Sequence, residues 1–260
     1  MQAARDDDRQ IAPFSAAYDG FDIQTAYQVA GEMHRTRLAR GDVAVGRKIG
    51  FTNPDMWPLF GVQAPVWGYV YKSTVVQLAQ ASHVCSLASF FEPKIEPEIT
   101  LHFDKTPPAG AHAQEILECL DWIAHGIEIV QCLFPGWQFK APDTIADLAL
   151  HATLLVGEPA VVRDLGRDLP TQLEQFSVEL LCNGTLREKA RGSNVLGSPL
   201  HAMAHLTKVL ATQPDALPIQ AGEIVTTGTI TKAYSIQAGE TWKTTIQGIR
   251  LPGLTVEFTS

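Results

Sequence analysis

Lys94-Ile95-Glu96-Pro97-Glu98-Ile99-Thr100-Leu101-His102-Phe103 alternates apolar and polar side chains along its length. Successive side chains of a strand point to opposite faces. Ile95, Ile99, Leu101 and Phe103 therefore share one face, and Lys94, Glu96, Glu98, Thr100 and His102 the other. Pro97 has no N–H for a ladder, so the strand is expected at a sheet edge or bulged at that point. Further along, His125 to Gln131 reads as a second strand, in which Glu128 faces away from Ile127 and Ile129.

Working towards the N-terminus, Val66 to Tyr71 reads as a strand, Pro54 to Gly61 as a turn, and Val43 to Phe51 as a strand. Residues 22 to 40 carry Ile23, Tyr27, Ala30, Met33 and Leu38 at helical spacing, with Gly41 as the stop. The run Arg5-Asp6-Asp7-Asp8-Arg9 reads as a solvated, frayed arm. Towards the C-terminus, residues 112 to 124 look helical. Asp143 is placed to cap a helix from Thr144 that runs towards a strand at Thr153 to Val156. Asn183-Gly184 between two strand-like runs is a hairpin signal, and Ser198 to Ala211 reads as a helix. Glu223 to Phe258 reads as strands broken by glycines. Strands and helices do not alternate as in a doubly wound sheet. The expected class is α+β, a β-rich rolled sheet or barrel with an N-terminal helical segment. The expected division is an N-terminal α+β segment over 1–80, packed on a β-rich catalytic domain over 81–260.

The chain has 260 residues, 45% of them hydrophobic and 18% charged, with a net charge of −8. That is globular composition, with no basic stripe for nucleic acid. Cys85, Cys119, Cys132 and Cys182 form no C-x-x-C pair, so reduced thiols and a cytoplasmic location are expected. No apolar run is long enough for a transmembrane helix.

Glu96 and Glu98 leave the same strand face, and Glu128 can meet them from a neighbouring strand. Three close carboxylates repel unless a cation lies between them, and an all-oxygen set suits Mg²⁺ or Mn²⁺. The spacing alone equally fits two solvent-facing residues of an edge strand. Glu128, in the apolar stretch Gly126-Ile127-Glu128-Ile129-Val130, needs a partner if buried. His201 and His205 have a zincin-like spacing, but Ala202 stands where the catalytic glutamate belongs. His151, at helical spacing from Asp147, is a polar candidate that also fits a hydrogen-bonded core histidine. Glycine-rich loops around Ser193 to Ser198 and Thr226 to Thr229 fit neither a P-loop nor a dinucleotide fingerprint, but permit backbone approach to an anion.

Six stretches together resemble the fumarylacetoacetate hydrolase superfamily, in its 2-oxopent-4-enoate hydratase and 4-oxalocrotonate decarboxylase branch. They are Gly46-Arg47-Lys48-Ile49-Gly50-Phe51-Thr52, Glu96-Pro97-Glu98-Ile99, Gly126-Ile127-Glu128-Ile129-Val130, Asp143-Thr144-Ile145-Ala146-Asp147, Val195-Leu196-Gly197-Ser198-Pro199 and Gly222-Glu223-Ile224-Val225-Thr226-Thr227-Gly228. The resemblance implies a Mg²⁺ or Mn²⁺ ion held by Glu96, Glu98 and Glu128, a small 2-oxo acid substrate and a homo-oligomer. It implies Lys48 beside the substrate; Asp147, which ends a matching stretch, and His151, which lies outside the pattern, are further catalytic candidates. Ser193 and Thr229 are the expected substrate contacts. In two places the chain departs from the pattern. Val66 stands where the hydratases carry an aspartate, which makes that end of the expected pocket apolar. Leu148-Ala149-Leu150-His151 replaces an asparagine followed by small residues, and brings in an imidazole. The expected activity is that of a hydratase-type lyase. Vinylogous decarboxylation, acylpyruvate C–C hydrolysis and a non-catalytic partner subunit are the alternatives.

Overall fold

The computed structural model describes residues 1–260 except Asp8, Gly61 and Asp215; the side chains of Asp6, Met56, Leu59 and Phe60 are also left undescribed. In chain order the helices are α1 (Gln2–Asp6), α2 (Phe14–Ala17), α3 (Ile23–Ala39), α4 (Trp57–Phe60), α5 (Ala113–Leu117), α6 (Ala141–Ala146), α7 (Val162–Leu165), α8 (Leu169–Gln175) and α9 (Pro199–Thr212). The strands are β1 (Ala44–Gly50), β2 (Val66–Tyr71), β3 (Val75–Gln77), β4 (Ser82–Ser86), β5 (Lys94–Phe103), β6 (Leu120–Val130), β7 (His151–Val156), β8 (Ala160–Val161), β9 (Ser177–Cys182), β10 (Thr185–Arg191), β11 (Ile224–Thr226), β12 (Tyr234–Ser235), β13 (Thr241–Gln247) and β14 (Thr255–Thr259).

The larger sheet runs β2-β1-β11-β5-β6-β7-β3, with β12 added beside β5 and β8 beside β6. The smaller one runs β10-β9-β13-β14-β4. This is the expected α+β, β-rich, rolled-sheet class. Strands from before residue 80 lie in the same large sheet as those after it. In particular, β1 pairs in parallel with β11, Lys48 opposite Thr226.

The apolar face of β5 behaves as its alternation requires, since Ile95, Ile99, Leu101 and Phe103 are all fully buried. Ile95 packs with Ile127 and Ile129 of β6 against Trp242, Val256 and Phe258 of the smaller sheet. Ile99, Leu101 and Phe103 join a cluster with Met203 and Leu206 of α9. Each such side chain contributes about 1.5–3 kcal/mol by leaving water.

The expected edge position of β5 is corrected: it is a central strand. It pairs with β6 along its whole length, with β11 at Thr100–His102 and with β12 at Lys94–Ile95. Pro97 falls in the gap between β11 and β12, where its carbonyl accepts the Ile230 N–H at 2.9 Å. Its missing N–H points to the same side, so the β6 ladder loses nothing.

Other expectations are corrected locally. The helix expected over 112–124 shrinks to α5, because Leu120–Ala124 are taken up by pairing with β5. Asp143 is the third residue of α6, and its carboxylate accepts the Lys140 N–H at 2.8 Å and the Ser15 N–H and hydroxyl. The segment from Pro54 forms a 3₁₀ turn and α4, while Gly61 lies outside the described residues. The acidic run near the N-terminus is not a solvated arm throughout. Arg5 is only 15% exposed and pairs with buried Asp147, although Asp8 lies outside the described residues.

Elsewhere the local signals match the structure. Asp22 caps α3, accepting the Thr25 N–H at 2.8 Å, a contact worth about 1 kcal/mol. Asn183 and Gly184 turn the β9–β10 hairpin with φ of 49° and 77°. All four cysteines are free and buried. Among the described residues no helix is long and apolar enough to cross a membrane.

Candidate metal centre and substrate pocket

The pairing of β5 with β6 places Glu96 directly opposite Glu128, and Glu98 opposite Gly126. All three carboxylates offer an oxygen within 4.8 Å of the others. Glu98 and Glu128 are fully buried and Glu96 is 14% exposed. Lys48 reaches the same point from β1. Its Nζ lies 2.8 Å from Glu128 Oε2 and 3.9 Å from Glu96 Oε2, and its side chain is 3% exposed.

Each glutamate is held differently. Glu98 Oε2 accepts the Gly228 N–H at 2.8 Å and the Thr226 hydroxyl, but its buried Oε1 has no partner. Glu128 Oε1 accepts His151 Nδ1–H at 2.6 Å, and His151 Nε2 is engaged by the Thr74 hydroxyl at 2.8 Å. Behind the centre, His125 ties the sheets together. Its Nδ1–H donates to the Glu98 carbonyl at 3.0 Å, so its Nε2 accepts from the Thr244 hydroxyl at 2.9 Å. Burial pulls this imidazole down to about 4, so it is neutral at ordinary pH.

The charges conflict. Burial, then the neighbouring Glu128 charge, pushes Glu98 well above the ordinary glutamate range. Burial also raises Glu96, to about 7, against the pull of Lys48. Burial acts the same way on Glu128, but the Lys48 ammonium and the His151 hydrogen bond outweigh it and hold that carboxyl low. Burial would lower the Lys48 pKa, yet the Glu128, Glu96 and Glu98 charges raise it instead. One ammonium does not neutralise three carboxylates, and a buried carboxylate oxygen without a partner is costly. The orphaned Glu98 Oε1 and the all-oxygen set fit a hard divalent cation.

A pocket opens on this cluster. Lys48, Thr52, Asn53, Glu96 and Thr229 supply its polar lining. Gly50, Phe51, Val130, Trp137, Phe139, Ala149, Leu150 and Ala233 supply the rest. Of the expected substrate contacts, Thr229 lines the pocket, with its hydroxyl donating to the Thr231 carbonyl at 2.9 Å. Val66 does not. It is buried behind the wall with Ile145, Ala146 and Ala149. Ser193 is exposed on its turn and also lies outside the lining. Its loop meets the pocket through the backbone, where Leu196 N–H donates to the Thr52 carbonyl at 2.9 Å. Asp147 is buried and bonded to Arg5 and the Leu133 N–H. His151 has both ring nitrogens engaged.

Of the lining residues that the sequence does not mark as site residues, Thr52, Trp137 and Phe139 bear most on the chemistry. Thr52 has a buried hydroxyl without a partner. Gly228 makes room for it, since a Cβ there would stand 1.9 Å from Thr52 Oγ1. Thr52 ends the Gly46–Thr52 stretch, which was the available signal. Trp137 and Phe139 come from an aromatic run, Phe134-Pro135-Gly136-Trp137-Gln138-Phe139, that has no periodicity to place it.

The fold and this carboxylate cluster define a class, and comparison with known proteins agrees. Residues 60–255 match the fumarylacetoacetate (FAA) hydrolase C-terminal family. The chain is an enzyme of the fumarylacetoacetate hydrolase family. Among its relatives, a 2-keto-4-pentenoate hydratase of Burkholderia vietnamiensis is 28% identical over 96% of this chain and 92% of its own. A 4-oxalocrotonate decarboxylase of Pseudomonas sp. strain CF600 is also 28% identical, over 96% of this chain and 91% of its own. The solved 4-oxalocrotonate decarboxylase of Pseudomonas putida G7, complexed with magnesium and adipate, superposes with a TM-score of 0.88 at 25% identity. That match covers 99% of this chain and 94% of the other.

Proposed function

We propose that this protein is a divalent-cation-dependent lyase of hydratase type, acting on a small 2-oxo or 2-hydroxy-dienoic acid. The observation that carries the reading is the buried Glu96–Glu98–Glu128 cluster, with one unpartnered oxygen, at the floor of a pocket that also holds Lys48. Glu96, Glu98 and Glu128 would hold Mg²⁺ or Mn²⁺. The chemistry supplied by such an ion is polarisation of the acid's 2-oxygen. Lys48 keeps a fixed positive charge beside that oxygen as negative charge develops on it. The Thr52 hydroxyl is free to donate to the substrate carboxylate. Trp137, Phe139 and Leu150 give the substrate's carbon chain an apolar wall.

Decarboxylation is the second reading. Among the described residues, Lys48 and Glu96 are the ionisable groups of the lining, with no separate acid or base beside them for adding water at a distal carbon. Losing a vinylogous carboxylate as CO₂ sends the electron pair of the broken bond to the 2-oxo group, and the dienolate then takes its proton at that oxygen from Lys48 or solvent, so no acid or base is needed at a distal carbon. The similarity to the Pseudomonas putida decarboxylase favours the same reading. The proposal extends to a cytoplasmic homo-oligomer in aromatic-compound catabolism, and sedimentation analysis reads the subunit count.

The test is turnover of 2-hydroxypenta-2,4-dienoate, 2-oxohex-3-enedioate and an acylpyruvate, with Mg²⁺ or Mn²⁺ present. Turnover of the first supports the hydratase and of the second the decarboxylase. Turnover of the acylpyruvate alone would move the assignment to a C–C hydrolase, and turnover of none would refute it. Independently, Glu98→Gln keeps the shape and removes one charge. Calorimetry should then show a large loss of Mg²⁺ affinity, and unchanged binding would remove Glu98 from the centre.

A further inference from the structure

The segment between α6 and β7 follows an unusual course, and the group that pins it comes from the far end of the chain. Leu148, Ala149 and Leu150 have φ of 53°, 55° and 66°, three consecutive left-handed residues with side chains. Such a run persists only where its surroundings impose it. The Leu150 N–H closes onto the Asp147 carbonyl at 2.9 Å, and the Leu150 carbonyl accepts the Gln131 N–H at 3.0 Å. Asp147, at the head of the turn, is fully buried. Its Oδ1 accepts Arg5 Nε–H at 3.2 Å and Nη2–H at 2.7 Å, and its carbonyl lies 3.4 Å from the same Nη2. Oδ2 lies 3.4 Å from the Leu133 nitrogen. Met1 packs in the clusters that contain Leu148, Ala149 and Leu150.

What this turn carries is functional. Ala149 and Leu150 line the pocket. The next residue, His151, makes the 2.6 Å bond to Glu128. A shift of the turn therefore moves a pocket wall and the imidazole that orients a proposed cation ligand. Without Arg5, Asp147 would be a buried charge stripped of its cation, and the turn would rearrange to expose or neutralise it.

We propose that Arg5 is a positioning residue of the active site: α1, through the Arg5–Asp147 pair, sets the course of residues 148–150 and with it the place of His151. The inference rests on reading this pocket as the active site. It makes Asp147 a group that acts through the turn, without touching substrate.

Arg5→Met keeps the side chain's bulk and removes its charge. Two measurements are made well below the unfolding midpoint. One is hydrogen exchange of the amides of residues 131–150. The other is calorimetric affinity for Mg²⁺ and, with Mg²⁺ present, for pyruvate. Exchange should quicken in that segment and not in the β9–β10 hairpin. Affinity should fall by about tenfold, as when an outer partner of a metal ligand is lost. Arg5→Lys, which keeps the charge, should recover part of both. Unchanged exchange overturns the proposal. Faster exchange with unchanged affinities overturns it as well, since α1 would then be a structural latch only. Should Arg5→Met not fold, Asp147→Asn, which keeps shape and loses charge, is judged by the same two criteria. Failure of the lyase reading shows elsewhere, as a wild type that turns over none of the acids.

Discussion

Lys48 is a buried ammonium whose nearest neighbours are carboxylates, and two consequences follow from removing it. Lys48→Met takes away the fixed charge beside the developing oxyanion, so turnover should fall on the order of 10²–10³-fold. It also removes a competitor for Glu128, so cation affinity should hold or rise. Steady-state rates and calorimetry on the same preparation check both, and near-normal turnover would remove Lys48 from the catalytic centre. At this scale the site was legible where chemistry follows from spacing. Glu96 and Glu98, two apart on a strand, had to share a face. Glu128, a carboxylate in an apolar stretch, had to find a partner. The partners themselves were not legible. Arg5 and Asp147 are 142 positions apart, and no local pattern links them. His151 was read against Asp147 at helical spacing. The left-handed residues between them break that spacing and turn the imidazole to Glu128.

Among the elements, β1 matters most to the site, because it delivers Lys48 and then Gly50 to Asn53 to the pocket. Its approach to β11 depends on Gly46, where a Cβ would stand 1.8 Å from the Ile224 carbonyl oxygen. Backbone cannot swing aside as a side chain can. Gly46→Ala should therefore force the two strands apart and destabilise the protein by about 3 kcal/mol. It should also weaken catalysis, because Lys48 stands two residues further along. Denaturant midpoints with an unchanged slope would measure the first effect, and a midpoint equal to wild type would show that the strands have slack. The strand β5 is readable from its alternation, β2 as a short strand, and α3 from its helical spacing and the Gly41 stop. The position of β5 in the sheet was not. Pro97 argues for an edge only when both sides of a strand are continuously paired, and here the gap between β11 and β12 accommodates it. α5 was over-read because Leu120–Ala124 carry no signal of their own that separates helix from strand. Pairing with β5 decides the matter.

For the molecule as a whole, the carboxylate cluster couples cation binding to stability and to pH. Glu96, near 7, and Glu98, raised well above its ordinary range by burial, keep their protons in the folded cation-free protein beyond the ordinary glutamate value of 4.5. On their account the folded state binds more protons than the unfolded chain as the pH rises from about 4.5, and stability declines across that interval. His125 and His151, both lowered by burial, bind fewer protons when folded and add stability as the pH rises to their ordinary value of 6.5. The stability curve of the cation-free protein alone therefore mixes opposing contributions. The difference between cation-loaded and cation-free protein isolates the carboxylates, because the ion competes with protons at Glu96 and Glu98. Binding should release protons near pH 6 and tighten towards pH 8. At a Mg²⁺ concentration about 100-fold above its dissociation constant the added stability is roughly 2.7 kcal/mol. For a chain of this size that raises the unfolding midpoint by roughly 5–10 °C. We expect that rise at pH 8, a smaller one at pH 6 with the same Mg²⁺, and almost none at either pH in Glu98→Gln or Glu128→Gln. Thermal scans with Mg²⁺ or with chelator at the two pH values measure it. A rise as large at pH 6 as at pH 8, or one that survives both substitutions, would mean that the ion stabilises the fold from somewhere other than these three glutamates.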